Sequence, residues 1–139
     1  MIDFNYETDF SISSETHYAD WIGRVVASEE SIVGRLEYIF CDDDYLLKIN
    51  QKYLNHDAYT DIISFDYSTV QEISGDIFIS VDRLKDNARK YRTNFDEELL
   101  RVMAHGVLHF LGYKDKSHKE KAIMRSKEEE KIKMFHVEQ

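Results

Sequence analysis

The sequence predicts an α+β domain in which a small mixed sheet of about four strands is packed with helices. Four segments have the β-branched and aromatic composition of strands, and five have the apolar spacing or end-capping residues of helices. Their order along the chain is β-α-β-α-β-β-α-α-α. Neither an internal repeat nor a linker divides the chain, so residues 1–139 are expected to form a single domain.

The first four elements are predicted from their apolar patterns. Ile2, Phe4 and Tyr6 alternate as on one face of a strand, and the next segment has an apolar stripe at helical spacing. A second strand then precedes a helix that begins with aspartates, which suit the positive end of a helix dipole. The predicted bounds are a strand at 2–7, a helix at 15–30, a strand at 31–40 and a helix at 42–54.

The last five elements are two strands and three helices with recognisable ends. Ser80, Asn94 and Ser117 are candidate N-caps, and Glu120 completes a capping-box pattern with Ser117. Gly112 stands where a left-handed residue ends a helix. The predicted bounds are strands at 60–67 and 75–81 and helices at 81–91, 94–112 and 117–135.

The composition is that of a globular cytoplasmic protein. Apolar residues make up 42% of the chain and charged residues 32%. No apolar run approaches the ~18 residues that a membrane span needs, so no membrane partner is expected. Cys41 is the only cysteine, which excludes an internal disulfide and a cysteine-rich zinc module.

The formal charge of −9 is confined to the first third of the chain. Residues 1–45 hold two arginines and no lysine, whereas acidic and basic residues balance in residues 46–139. This distribution argues against broad polyanion binding but allows a local basic groove. The last helix mixes lysines with glutamates and is interpreted as a salt-bridged exterior without chemistry, with three side chains pointing inward: Ile123, Ile132 and Phe135.

A metal-ligand spacing lies near the end of the fourth predicted helix. His105 and His109 are four residues apart, so both imidazoles can face one point. Gly112 can turn the chain back, and Asp115 can then add an oxygen ligand, leaving a fourth position to water as in catalytic zinc sites. The same spacing also fits two half-buried histidines on an ordinary helix face, and spacing alone does not separate the two interpretations.

The segment "HGVLHFLGYKDK" resembles the H-G-x-L-H-x-x-G-Y motif of the YbeY family, metal-dependent bacterial endoribonucleases of ribosomal RNA maturation. "LKINQKYLNHDAYTDIISFDY" and "GDIFIS" are similar to two further family segments in the same order, so the resemblance covers about residues 46–116. It implies one Zn²⁺ per chain, bound by His105, His109 and Asp115. It also implies a ribosomal RNA substrate on the small subunit, with no DNA partner expected.

Two positions depart from the family pattern. The family's usual third ligand is a histidine, and Asp115 stands there, so a harder oxygen donor and a negative charge are expected at the site. His118 is the alternative third ligand. Leu54 replaces an arginine thought to contact substrate phosphate, and nearby His56 is either a substitute or an ordinary loop residue.

The expected chemistry is hydrolysis of a phosphodiester by water that zinc activates, with His105 and His109 catalytic through the metal. H-E-x-x-H peptidases place a glutamate general base directly after the first histidine, and Gly106 occupies that position. A metallopeptidase is therefore disfavoured, and the general base of the RNA reaction has no assigned residue. A ribosome-associated binding protein with a structural metal is the second alternative.

Candidate RNA contacts come from a basic segment and from the start of the third strand. Residues 83–92 contain five lysines and arginines, and positions 85, 89 and 92 are expected to share a helix face near the site. An ordinary solvated helix face is the alternative. The predicted substrate-binding residues are Arg83, Lys85, Arg89, Arg92, Thr60 and Asp61.

Overall fold

The computed structural model of the chain describes residues 1–137, which form nine elements in the predicted order. These are β1 (Ile2–Tyr6), α1 (Glu15–Ser28), β2 (Val33–Cys41), α2 (Asp43–Leu54), β3 (Ile62–Asp66), β4 (Ile73–Ser80), α3 (Val81–Lys90), α4 (Phe95–Phe110) and α5 (His118–His136). The predicted α+β class and the element order are confirmed. Within residues 1–137, no helix combines the length and the apolar character that crossing a membrane requires.

The helix ends follow the local signals in the sequence. The side chains of Ser80, Asn94 and Ser117 each accept a backbone hydrogen bond at the start of α3, α4 and α5, and Ser117 forms the full capping box with Glu120. Gly112 follows the end of α4 with φ of 101°, a conformation that favours glycine because a side chain would be strained there. The chain therefore reverses direction directly after the two histidines.

The four strands form one sheet in the order β1-β2-β4-β3. β1 and β4 both run parallel to β2, and β3 pairs antiparallel with β4, with Ile62 opposite Ile79. β3 is consequently an edge strand. The segment that enters it, which contains Asp61, lies beside the start of α3, because the backbone N–H of Ser80 donates to the Asp61 carbonyl at 2.9 Å.

The main core lies between one face of the sheet and helices α1, α4 and α5. Trp21 of α1 is fully buried, and its indole N–H donates to the Lys131 carbonyl of α5 at 2.8 Å. The Tyr38 hydroxyl of β2 donates to the Met103 carbonyl of α4 at 2.9 Å. These contacts hold α4 against the sheet and α5 against α1, which fixes the position of the histidines that α4 carries.

The interpretation of α5 as a salt-bridged exterior helix is confirmed only in part, because most of its residues are exposed but two charged side chains face inward. Ile132 is buried and Phe135 is half-buried against Trp21, as predicted, but Ile123 is exposed. Two charged residues face inward instead: Glu128 is buried and the Lys131 side chain is only 1% exposed. Both charges have partners on other helices, and those partners are not visible from the spacing within α5.

Candidate metal centre

His105, His109 and Asp115 converge on one point at the C-terminal end of α4. The two Nε2 atoms are 2.9 Å apart, and Oδ2 of Asp115 lies 3.3 Å from each of them. All three side chains are partly exposed, so the cluster opens to solvent. These three residues are called the metal cluster below.

The local fold of the chain produces this convergence. The four-residue spacing places both imidazoles on one face of α4. The backbone N–H groups of Gly112 and Tyr113 donate to the carbonyls of His109 and Leu108, both at 3.0 Å, and close the turn. The positive φ of Gly112 then directs the chain back so that Asp115 reaches the imidazoles.

Glu128 of α5 fixes the orientation of His105. Nδ1–H of His105 donates to Oε2 of Glu128 at 2.6 Å, and Nη1 of Arg101 donates to the other oxygen at 3.2 Å. Burial alone lowers the pKa of His105, but the hydrogen bond and charge of Glu128 and the nearby charge of Asp115 outweigh it and raise that pKa. Nε2 of His105 is therefore the ring nitrogen that points towards His109 and Asp115.

A backbone carbonyl fixes the orientation of His109. Nδ1–H of His109 donates to the Tyr113 carbonyl at 2.9 Å, and the Tyr113 hydroxyl donates to Glu29, the residue that follows α1, at 2.6 Å. Lys131 and Lys127 also donate to Glu29, at 2.7 and 3.1 Å. Burial raises the pKa of Glu29, but the hydrogen bonds from these lysines and from Tyr113 outweigh it and lower the pKa to about 2.

The donor set fits a divalent metal ion. Both imidazoles present Nε2 while Nδ1 donates a hydrogen bond, which is the arrangement of metal-binding histidines in proteins. Tetrahedral zinc with bonds of about 2.0–2.1 Å separates its ligand atoms by about 3.3 Å. The separations of 2.9, 3.3 and 3.3 Å between the donor atoms of the metal cluster are close to that value.

The structure brings Asp115 rather than His118 to the imidazoles. His118 is the first residue of α5 and is exposed, outside the metal cluster. His56 lies in the exposed loop after α2, and Leu54 is exposed at the end of that helix. Neither of them lines the cleft at the metal cluster.

Of the two predicted residues before β3, Asp61 lies nearer the cluster. Asp61 lines a cleft together with His105 and Asp115, and Nδ2 of Asn87 lies 3.4 Å from its carboxylate. Burial raises the pKa of Asp61, although the charge of His105 opposes that shift. The Thr60 hydroxyl lies 3.5 Å from the Ile62 carbonyl and is outside the lining of that cleft.

The predicted basic face of α3 is wrong in its geometry. Arg92 lies beyond the end of α3 with φ of 55°, so it does not continue the face of Lys85 and Arg89. Arg83 is paired with Asp43 at 3.0 Å, and Arg89 is paired with Asp86. Lys85 is exposed, and none of the four cations lines the cleft at the metal cluster. RNA binding by these residues stays a prediction.

Several residues that build the site were missed by sequence reasoning. Arg101, Arg125, Glu98 and Glu128 line the cleft, and Tyr113 supplies the carbonyl to His109. The spacing on α4 could have suggested Arg101 and Glu98, because they precede His105 on the same face. Nothing in the charged run of α5 distinguishes Glu128 from the glutamates beside it.

Comparison with known proteins identifies the family of the chain. The family model described as Endoribonuclease YbeY matches residues 3–136. The chain belongs to the endoribonuclease YbeY family. A protein named Endoribonuclease YbeY from Flavobacterium johnsoniae is 61% identical over 139 residues, which is 100% of both chains. One of the same name from Bacteroides fragilis is 44% identical over 115 residues, 83% of each chain.

A solved structure supports the fold. The solution structure of a Thermotoga maritima protein matches with a TM-score of 0.74 and 26% identity, covering 97% of this chain and 89% of that one. Membership of the YbeY family confirms the resemblance found in the sequence and the predicted class of enzyme, a nuclease hydrolase. The metal cluster lies in the segment that carried that resemblance.

Proposed function

We propose that residues 1–139 form one zinc-dependent endoribonuclease domain that cleaves single-stranded segments of ribosomal RNA during ribosome maturation. The observation that carries this proposal is the convergence of three ligand atoms, two imidazole nitrogens and one carboxylate oxygen, on a point open to solvent. The names of the YbeY relatives support the nuclease activity. The ribosome as target and the cytoplasm as location rest on the resemblance and the composition.

The residues of the chain have distinct roles in this proposal. His105, His109 and Asp115 would hold the ion, which when bound polarises a phosphoryl oxygen and acidifies a water molecule. Glu128 and the Tyr113 carbonyl keep both histidines in the tautomer that presents Nε2.

Cations of the cleft would bind the negatively charged RNA backbone. Arg101 and Arg125 line the cleft together with the metal cluster. Guanidinium groups form paired hydrogen bonds with phosphate oxygens, so these two arginines are suited to hold the phosphates that flank the scissile bond.

A metallopeptidase is disfavoured by the position of Gly106. A Cβ added there would lie 3.0 Å from Ile77 Cδ1 and 3.1 Å from Ile62 Cδ1. The residue after the first histidine therefore faces the sheet and not the cleft. A glutamate at this position could not serve as general base for the metal cluster.

A purely structural metal is disfavoured by the ligand count and the exposure. Structural zinc sites are closed by four protein ligands, whereas the cluster in residues 1–137 has three. The same three side chains are partly exposed, which leaves room for a substrate oxygen.

The test compares the wild-type chain with Asp115→Ala, His109→Ala and His118→Ala. We expect about one zinc per wild-type chain by metal analysis, and cleavage of ribosomal RNA that His109→Ala and Asp115→Ala lose together with the metal. His118→Ala is the matched control and should keep both. Equal cleavage by the wild type and His109→Ala would refute the enzymatic proposal, and metal loss in His118→Ala would refute Asp115 as third ligand.

A further inference from the structure

A second cleft continues the metal cleft along α4 towards α3. Its volume is about 430 Å³, and it is lined by Asp61, Asn87, Tyr91, Thr93, Glu98, Arg101 and Arg125. Asp61, Glu98 and the two arginines also line the cleft at the metal cluster, so the two spaces adjoin. The second space is called the Glu98 cleft below.

Glu98 is a nearly buried residue whose carboxylate faces the cleft. Only 5% of its residue surface is exposed. Every fully buried side-chain polar atom within residues 1–137 has a hydrogen-bond partner, so the Glu98 oxygens, which accept no hydrogen bond there, are the part of the residue that reaches the cleft. Burial and the charge of Asp61 raise the pKa of Glu98, although the charges of Arg101 and Arg125 oppose that shift. The Glu98 oxygens are therefore available to accept hydrogen bonds from a ligand that enters the cleft.

The spacing between Glu98 and the metal cluster matches a short stretch of single-stranded RNA. Glu98 precedes His105 by two helical turns on the same face of α4, an axial distance of about 10 Å. The base bound there would therefore belong to a nucleotide at or next to the phosphate that reaches the metal cluster.

The other residues of the Glu98 cleft suit a nucleotide. Arg125 is exposed and its ion pair with Glu129 is long, at 3.6 Å, so its guanidinium is available to a phosphate. Tyr91 is exposed at the end of α3, with Lys90 over its ring at 5.4 Å. Exposed tyrosines beside cations are typical of proteins that stack the bases of single-stranded RNA.

We propose that the Glu98 cleft binds a guanine base of the RNA substrate, with the Glu98 carboxylate accepting hydrogen bonds from the N1–H and N2–H groups of guanine. This inference rests on the proposed nuclease function for its biological meaning, but binding can be measured without cleavage. Guanine suits a carboxylate because it presents two donors side by side, whereas uracil flanks its single N–H with two carbonyl acceptors that a carboxylate repels. Asp61, on the same wall, adds a second acceptor.

The test measures binding of the four nucleoside 5′-monophosphates to the full zinc-loaded chain by calorimetry, because these ligands contain no bond to cleave. Guanosine monophosphate should bind about tenfold more tightly than uridine monophosphate, the discrimination typical of one bidentate contact to a base. Glu98→Gln should reduce that ratio to near one. Glu97→Gln, the adjacent glutamate that pairs with His136, is the matched control and should keep the ratio.

Arg125→Ala separates base recognition from phosphate binding. This substitution should lower the affinity for all four nucleotides by a similar factor, because the arginine is assigned to the phosphate that they share. The ratio of the affinities for guanosine and uridine monophosphate should stay unchanged. Equal affinity of the wild type for all four nucleotides overturns the proposal without any variant. An unchanged guanine preference in folded Glu98→Gln, checked by thermal unfolding, also overturns it. A guanine preference in a chain that cleaves no RNA would instead contradict the proposed nuclease function. It would still support guanine binding in the Glu98 cleft.

Discussion

The carboxylate of Glu128 lies 2.6 Å from Nδ1 of His105, although the two residues are 23 positions apart and belong to different helices. The contact joins α5 to the face of α4 that carries the metal cluster. Arg101 holds the other carboxylate oxygen at 3.2 Å, so Glu128 is fixed from two sides. Carboxylates in this position orient metal-binding histidines and raise their basicity as ligands.

Removal of Glu128 should therefore weaken metal binding. We expect Glu128→Ala to reduce zinc affinity by about 10- to 100-fold, the range found for such supporting carboxylates. Glu128→Gln should reduce the zinc affinity less than Glu128→Ala does, because the amide oxygen can still accept the hydrogen bond from Nδ1–H of His105. Competition with a chromophoric chelator measures the affinities. Glu129→Ala, at the exposed neighbouring position, is the control and should bind zinc like the wild type, and a wild-type affinity for Glu128→Ala would contradict the assigned role.

Glu29 should stabilise the fold in a way that depends on pH. Its pKa is lowered to about 2 in the folded chain, whereas an unfolded glutamate titrates near ~4.3. The stabilisation is therefore present above the unfolded value and is lost as the pH falls towards the folded value. We expect Glu29→Gln to lower the free energy of unfolding by about 2 kcal/mol at pH 7, less than the full ion-pair loss because Lys131 keeps its contact with Glu130.

Urea unfolding of both proteins at pH 7, 5, 4 and 3 measures this effect of Glu29. The difference in the free energy of unfolding between the wild type and Glu29→Gln should be nearly constant at pH 7 and 5, smaller at pH 4 and smaller again at pH 3. Asp20→Asn, which removes an exposed ion pair with Arg24, is the control. It should lower the free energy of unfolding by less than about 0.5 kcal/mol. A difference that grows on acidification would contradict the low pKa of Glu29.

Gly106 should tolerate no glutamate. The side chain would be forced between α4 and the sheet, where Ile77 and Ile62 already lie about 3 Å from a Cβ. We expect Gly106→Glu to lower the free energy of unfolding by at least ~3 kcal/mol, because a charge is buried without a partner. Gly23→Ala, in a helix with nothing within 4 Å of the new Cβ, should instead raise it by about 0.5–1 kcal/mol. Thermal unfolding checks both, and peptidase activity in a stable Gly106→Glu protein would restore the rejected alternative.

The sequence alone predicts those features of the fold and the site that depend on neighbouring residues. The caps at Asn94 and Ser117 and the turn at Gly112 depend on residues within one helical turn, and all three lie where the pattern placed them. The spacing of the two histidines likewise depends only on the period of α4. Their convergence with Asp115 follows from that spacing and one turn.

The remaining parts of the site depend on packing between distant elements. The inward direction of Glu128 and Lys131 is set by the contacts of α5 with α4 and α1, and the partners of these residues lie up to 103 positions away. Arg92 was assigned to a helix face by counting residues, but α3 ends two residues earlier. Charge pairing and helix ends of this kind follow from tertiary contacts, which periodicity within one segment does not contain.

Asp115 should determine which metal the cluster prefers. A carboxylate oxygen is a harder donor than an imidazole nitrogen, and it brings a negative charge to within 3.3 Å of both histidines. We expect Asp115→His, which replaces the carboxylate with a third imidazole, to raise the affinity for zinc relative to manganese by about tenfold, because imidazole suits zinc and carboxylate suits manganese. Chelator competition with each metal measures the ratio, and His118→Asp, an exposed position outside the cluster, is the control. A ratio that is unchanged in Asp115→His, or that changes equally in His118→Asp, would show that Asp115 does not bind the ion.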